Sequence, residues 1–223
     1  MKQDCAQSAL SWDQFWLGLR PENEIRMWDF YGGRPWILRH VPRHGKVLEA
    51  GCGLGRYVFL LSKLGIDIDG LDYHRPTVKA VSSWAKVHGF DCQFVRGDVR
   101  ELPYVDESLA GYLSFGVIED FEKGPTEVLA EAYRVLRPGG IAIISVPSLS
   151  FSQKYHQLRR CMKQIIVRIL KQPIRPKGWV GQYWYTLDQL SSFIKDAGLK
   201  VVLRGPCDLK YAFFELGAQG NGR

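Results

Sequence analysis

The residues able to do chemistry gather in the first half of the chain. The run from Val47 to Arg56 reads VLEAGCGLGR. It sets Gly51, Gly53 and Gly55 at alternate positions behind a carboxylate, Glu49. Glycines so placed let a backbone turn tightly and approach a ligand at a distance a Cβ would forbid. The spacing is G-x-G-x-G, and Arg56 occupies the position that would complete a G-x-G-x-x-G dinucleotide turn. A carboxylate directly before the turn can meet a ligand ammonium and would serve a diphosphate poorly. Asp72 closes the next apolar run, where a carboxylate can accept both hydroxyls of a ribose. Asp98, in Arg96-Gly97-Asp98-Val99, can accept the amino group of an adenine. Three acids along one crevice suit a ligand carrying a sulfonium and an ammonium. Glu119 and Asp120 come next, after a further apolar run. Glu119 is the candidate general base or acceptor-orienting group; a solvated acid or a helix cap is the plainer alternative.

These residues need a scaffold, and the pattern around them supplies one. Val47–Ala50 reads as a short buried strand, Arg56–Leu64 as a helix and Ile66–Leu71 as a second strand. Pro76–His88 suits a helix, Cys92–Val95 a third strand and Leu109–Phe115 a fourth. Thr126–Leu136 reads as a helix stopped by Pro138-Gly139-Gly140, and Ile141–Val146 as a fifth strand. The alternation predicts an α/β, Rossmann-like fold with a parallel sheet and helices on both faces. Further on, Thr186 fits the N-cap of a helix from Leu187 to Ala197, ended by Gly198. Leu199–Leu203 and Tyr211–Leu216 then read as strands joined through Gly205-Pro206. So short a connection requires an antiparallel pair, giving a seven-stranded, mostly parallel sheet with a C-terminal antiparallel hairpin.

Taken in order, VLEAGCGLGRY, GLDYH, FVRGDVRELPY, GYLSFGVIEDF and EAYRVLRPGGIAIISVP resemble the class I S-adenosylmethionine-dependent methyltransferases, of the broad type 11 group. The resemblance covers Lys46 to Pro147 firmly and the C-terminal helix and hairpin loosely. It implies S-adenosyl-L-methionine as cofactor, with Gly51, Gly53 and Gly55 cradling its methionine part. Asp72 would take the ribose and Asp98 the adenine, with Val99 and Phe115 as apolar contacts. The sequence departs from the group after the fourth strand. Many members carry histidines there, whereas Phe115-Gly116-Val117-Ile118-Glu119-Asp120-Phe121 has none. The implied reaction is O- or N-methylation of a small-molecule or lipid-linked acceptor. Methyl transfer from a sulfonium has an excellent leaving group, so much of the catalysis can come from alignment of the acceptor. Two other classes stay open: a nicotinamide-dependent oxidoreductase, and a non-catalytic cofactor-binding module serving as partner or regulator.

Length, composition and charge bound the remaining questions. The chain has 223 residues, 46% of them hydrophobic, enough for a sizeable core. Residues 1–40 are expected to form an aromatic-rich helical cap, with Trp12, Phe15, Trp16 and Leu19 on one helical face and Trp28, Tyr31 and Trp36 following. Residues 41–223 form the methyltransferase domain. The five cysteines are scattered and never in a C-x-x-C pair, and the five histidines lack ligand spacing. No metal is therefore expected, and a reducing, cytoplasmic location is. No apolar run reaches membrane-spanning length.

The net charge of +7 has a local origin. No acid lies between Glu131 and Asp188, while residues 148–185 carry eight Lys or Arg. The other 22 basic residues face 23 acidic ones, so nucleic-acid binding is not expected. Within that insertion, Tyr155, Leu158, Cys161, Met162, Ile165, Ile166, Ile169 and Leu170 trace an apolar helical stripe. Lys154, Arg159, Arg160, Lys163 and Lys171 lie mainly off it. Three readings stay open for the segment: a lid over the pocket, a site for an anionic acceptor, or a peripheral contact with an acidic membrane surface. The sequence leaves the oligomeric state undetermined.

Overall fold

A computed structural model of the chain describes residues 20–26, 33–121, 124–147, 185, 187–206 and 211–218. The basic insertion through residue 184, Thr186, and the aromatic residues Trp12 to Leu19, Trp28 and Tyr31 lie outside the described residues. Two short helices come first, α1 (Pro21–Arg26) and α2 (Arg34–His40). The alternating part follows: β1 (Val47–Ala50), α3 (Arg56–Lys63), β2 (Ile68–Asp72), α4 (Arg75–His88), β3 (Gln93–Arg96) and β4 (Leu109–Phe115). A 3-10 turn (Ile118–Asp120) leads to α5 (Thr126–Val135) and β5 (Leu136–Pro147). The chain then gives α6 (Leu187–Asp196), β6 (Leu199–Pro206) and β7 (Tyr211–Ala218). The strands lie in the order β3-β2-β1-β4-β5-β7-β6. The first five pair in parallel, and β7 pairs antiparallel with both β5 and β6.

Side-chain alternation divides the core between the two sheet faces. Val47, Leu113 and Ile143 pack with Val58, Leu60 and Leu61 of α3 and with Ile37 of α2. Leu48, Tyr112, Ala142 and Ile144 point the other way, against Leu129 and Val135 of α5 and Leu190 and Ile194 of α6. With both faces covered, every residue of β1 and β2 is buried. Ile37 is fully buried in the β1–α3 cluster, so α2 belongs to the same packed unit as the sheet.

Many boundaries shift by one or two residues from those the sequence predicts, and the differences with a structural cause fall at the fifth strand and the hairpin. The helix expected to reach Leu136 ends at Val135, and the fifth strand starts at once instead of at Ile141. Leu136 already pairs with Leu109, and the register then shifts across the Pro138-Gly139-Gly140 stretch before Ile141 meets Gly111. These residues act as an irregularity within a strand, and the positive φ of Gly139 (75°) is what only glycine adopts freely. Likewise Gly205-Pro206 is no hairpin connection. Both residues continue β6, pairing with Phe213 and Ala212. β6 is the outermost strand, where a proline without an N–H is tolerated.

The topology fixes the place of the site. β1 lies between β2 and β4, so the chain runs outward one way through β2 and β3 and the other way through β4 and β5. The strand order reverses between β1 and β4, and a crevice opens at their carboxyl ends. The glycine turn leaves β1 there, and the Glu119 turn leaves β4 there.

Candidate functional site

The glycine turn is held by its own hydrogen bonds. The amides of Gly51 and Cys52 both donate to the Leu71 carbonyl, at 2.7 and 2.9 Å, and the Gly55 amide donates to Cys52 O at 2.8 Å. The Gly53 amide donates to Oδ2 of Asp72 at 2.9 Å. Gly51, Gly53 and Gly55 all have positive φ, at 78°, 50° and 75°. A Cβ on Gly51 would collide with Cγ2 of Val117, and one on Gly55 would meet the Phe94 ring at 2.8 Å. Four amides of the loop are thus committed to protein acceptors. A diphosphate-binding turn keeps such amides for its anion.

Two buried carboxylates bond to this turn and to the helix it opens. Asp72 ends β2, 8% exposed, and also accepts the His74 amide on Oδ1 at 2.9 Å. Each of its oxygens therefore keeps a lone pair for a pair of ligand hydroxyls. Burial pushes its carboxyl above the usual range, against the pull of the His74 and Gly53 amides. Glu49 lies deeper, 4% exposed, with Oε2 accepting the Val58 amide of α3 at 3.1 Å. It braces the helix that the turn opens, and burial pushes its pKa up to about 8. A carboxyl so poised gains from an arriving ammonium, which restores the charge that burial disfavours.

Asp98 sits two residues beyond the end of β3 in a bridge with Glu101. Its carboxylate is gripped by Arg100. The Arg100 amide reaches Oδ1 at 2.9 Å, and the guanidinium reaches both oxygens at 2.6 to 3.2 Å. That pairing holds the Asp98 carboxyl below its ordinary range. The same guanidinium lies 5.5 Å from the centre of the Phe121 ring, just past the Glu119 turn. Val99 is 8% exposed and belongs to the sheet core, so it offers a ligand an edge at most. Phe115 is half-buried and packs on Tyr57 in the first turn of α3, with ring centres 4.6 Å apart.

Glu119 is where the structure says most. The 3-10 turn is pinned by Ile118, which is fully buried in the α5–α6 side of the core. Glu119 is also fully buried, and neither carboxyl oxygen has a hydrogen-bond partner. Burial pushes its pKa up to about 8 against the pull of the residue's own backbone amide, and the field of Asp120 adds to the rise. The plainer alternatives, a solvated acid or a helix cap, both fail. The side chain is not solvated, and α5 begins only at Thr126.

Several contributors carry weak sequence signals. The grip of Arg100 on Asp98 follows from an Asp whose side chain can meet the amide two residues on, legible in Asp98-Val99-Arg100. Gly116, with φ of 73° directly after β4, is a turn glycine the strand pattern leaves unremarked. Glu24 of α1 forms an ion pair with Arg56, Nε to Oε2 at 2.7 Å, and Glu22 accepts the Trp84 indole N–H at 2.7 Å. These bonds tie α1 to the helices on either side of β2, and no local pattern marks them.

Comparison with known proteins agrees with this geometry. Residues 48–144 match a family described as a methyltransferase domain. The chain is 37% identical over 107 residues to a probable S-adenosylmethionine-dependent methyltransferase of Mycolicibacterium smegmatis, covering 48% of this chain and 40% of that protein. It is 26% identical over 199 residues to a demethylmenaquinone methyltransferase of Anoxybacillus flavithermus, covering 82% of each. The chain thus spans less than half the length of the first relative and most of the second. Its fold matches the crystal structure of a SAM-dependent methyltransferase from Methanosarcina mazei with a TM-score of 0.67 at 16% identity, over 83% of this chain and 98% of that one.

Proposed function

We propose that the protein is a class I S-adenosylmethionine-dependent methyltransferase, a reading supported by the methyltransferase-domain match over residues 48–144 and the similarity to a probable S-adenosylmethionine-dependent methyltransferase, and that it methylates oxygen or nitrogen on a small-molecule or lipid-linked acceptor. Bound S-adenosylmethionine supplies an electrophilic methyl group on a cationic sulfur. The chain's own residues supply the rest. Gly51, Gly53 and Gly55 shape a turn that the methionine part can approach, and Glu49 beneath it offers a carboxyl to the ammonium. Asp72 offers two lone pairs to the ribose hydroxyls, and Asp98, fixed by Arg100, one edge to the adenine amino group. Val99 and Phe115 bound the crevice with apolar surface. Glu119 stands at the acceptor end, beyond β4.

The observation carrying this reading is the pairing of a glycine turn whose amides are committed to the protein with two buried carboxylates, Asp72 bonded to that turn and Glu49 to the helix it opens. Such a site attracts a cation and repels a diphosphate. No helix among the described residues is long and apolar enough to cross a membrane. Titration calorimetry tests the cofactor. Binding of S-adenosylmethionine and S-adenosylhomocysteine with Kd of about 1–10 µM is expected, with none of NAD or NADP. Clear nicotinamide binding without S-adenosylmethionine binding would overturn the reading. Isotope-labelled cofactor incubated with an extract of the source cell then identifies the acceptor by mass spectrometry.

A further inference from the structure

The Glu119 carboxyl poses a chemical problem that the fold alone does not solve. A buried polar group without a hydrogen bond costs stability, and a fully buried carboxyl with both oxygens unpartnered is an uncommon expense. Its surroundings show no structural use for it. Ile118 anchors the turn in the core, with Val117 and Phe121 packed against the same cluster. Val117 packs over Gly51, which places the Glu119 turn directly against the cofactor turn. Gly116 leaves an opening on the remaining side. A Cβ built there would meet Oε1 of Glu119 at 3.6 Å and nothing else within 4 Å. The carboxyl thus borders a gap with room for one methyl group at Gly116, one residue from the contact with the glycine turn, while both its oxygens stay closed to solvent.

Among the described residues, the charged groups around this gap are few. Asp120, on the same turn, is the one whose field acts on Glu119, and it opposes ionisation. Arg100 lies over Phe121 and is taken up by Asp98. Across the Val117–Gly51 contact are Glu49, beneath the glycine turn, and Arg56, paired with Glu24.

Building on the methyltransferase reading above, we propose that Glu119 is the proton acceptor for an uncharged hydroxyl acceptor, and that the cofactor's sulfonium charge converts it from a neutral carboxyl to a working base. As the hydroxyl oxygen bonds to the transferred methyl carbon, the carbon–sulfur bond breaks and its electron pair stays on sulfur. The hydroxyl proton passes to the Glu119 carboxylate. The products are a methyl ether, S-adenosylhomocysteine and a protonated Glu119, so charge and atoms balance.

The chemistry of the gap selects the acceptor class. A phosphate or carboxylate beside Glu119 and Asp120 would add negative charge to a pocket that already disfavours it. An ammonium would pair with Glu119 and keep its proton, leaving no lone pair for attack. A hydroxyl keeps a lone pair while still protonated, so a base can remove the proton as the methyl arrives.

Comparing the cofactor with its product tests the charge coupling. The two ligands share adenosine, ammonium and carboxylate, and they differ in the methyl group and the positive sulfur. A unit positive charge within about 6 Å, at an effective dielectric near 20, raises an ionisation constant by about 100-fold. With a Glu119 pKa of about 8, S-adenosylmethionine binding at pH 7.5 should release about 0.7 proton more than S-adenosylhomocysteine binding. Calorimetry in two buffers of different ionisation enthalpy reads this difference on the wild-type chain. Any proton taken up or lost by Glu49 on meeting the ammonium is common to both ligands and cancels. Glu119→Gln should erase the difference and, as linkage requires, weaken S-adenosylmethionine binding by about 25-fold at pH 7.5 while the S-adenosylhomocysteine Kd stays within about threefold. Equal proton release for the two ligands in the wild-type protein overturns the proposal, as does a difference that persists in Glu119→Gln. Failure of both ligands to bind would instead overturn the methyltransferase reading. A panel of phenols, aliphatic alcohols, amines and carboxylates with labelled S-adenosylmethionine tests the acceptor class. Label is expected on hydroxyl oxygen, with kcat/KM for the acceptor at saturating S-adenosylmethionine rising to a plateau by about pH 7 and falling at least 100-fold in Glu119→Gln. Transfer to amines or carboxylates alone would refute it.

Discussion

Replacing Glu49 by glutamine should flatten the pH dependence of stability. Glu49 is 4% exposed and has a folded-state pKa of about 8 against an ordinary 4.5. Its folded pKa is raised, so its contribution is fully present below about 4.5 and is lost as pH climbs through about 8. In that window the folded chain keeps a proton that the unfolded chain has released, and stability falls by up to about 1.4 kcal/mol per pH unit for one such group. Glutamine keeps an oxygen for the Val58 amide and has nothing to ionise. At pH 5 the variant should lie within about 1 kcal/mol of wild type. By pH 8 it should be more stable by about 2–4 kcal/mol, the range allowing for relaxation around the buried charge. Urea unfolding of the ligand-free protein at pH 5, 6.5 and 8 measures this, provided m is unchanged. Parallel stability lines for the two proteins would refute the claim that Glu49 is held as a neutral acid. The same variant should bind S-adenosylmethionine and S-adenosylhomocysteine about tenfold more weakly, through the lost pairing with the ammonium.

Three further substitutions probe other parts of the site. Asp72→Asn presents an NH2 where a carboxylate now accepts two amides, and cofactor affinity should fall at least tenfold by calorimetry, or about 1.4 kcal/mol. Gly51→Ala demands a positive φ of 78° and drives a methyl into Val117, so the urea midpoint should drop by the equivalent of about 1–3 kcal/mol. Arg100→Met removes the guanidinium that holds Asp98 ionised. The Asp98 carboxyl signal, followed by NMR titration, should move toward the ordinary aspartate range; an unmoved signal would mean that the backbone amide of Arg100 does the holding.

The layered α/β plan was legible because it depends on local patterns. β1 and β4 carry the boundaries their apolar runs imply, and α4 ends at Gly89, whose φ of 70° is the left-handed stop a glycine provides. The errors fall where a pairing partner overruled a local signal. Pro138-Gly139-Gly140 reads as a stop in isolation, yet β4 offers Leu136 a partner before those residues. Gly205-Pro206 reads as a turn, yet β7 extends far enough to pair with both. Glycine and proline mark a local cost, and a neighbouring strand can offset it.

The site divides along the same line. Glu49, Asp72 and the three glycines were findable because β1, β2 and the turn between β1 and α3 are contiguous with them in sequence. The relation of Glu119 to that turn was not, since it depends on Val117 meeting Gly51 across 66 positions, a contact set by the pairing of β1 with β4. Sequence identified Glu119 as an acid after the fourth strand, and only packing shows that it is unsolvated and unpaired. That distinction governs its chemistry. A solvated carboxylate near pKa 4.5 is a weak base that is ionised whether or not cofactor is bound. A buried one near 8 is a stronger base that is mostly protonated at neutral pH until a positive charge arrives. The absence of a histidine after β4 therefore leaves a base in place, one whose strength comes from burial and whose readiness depends on the cofactor.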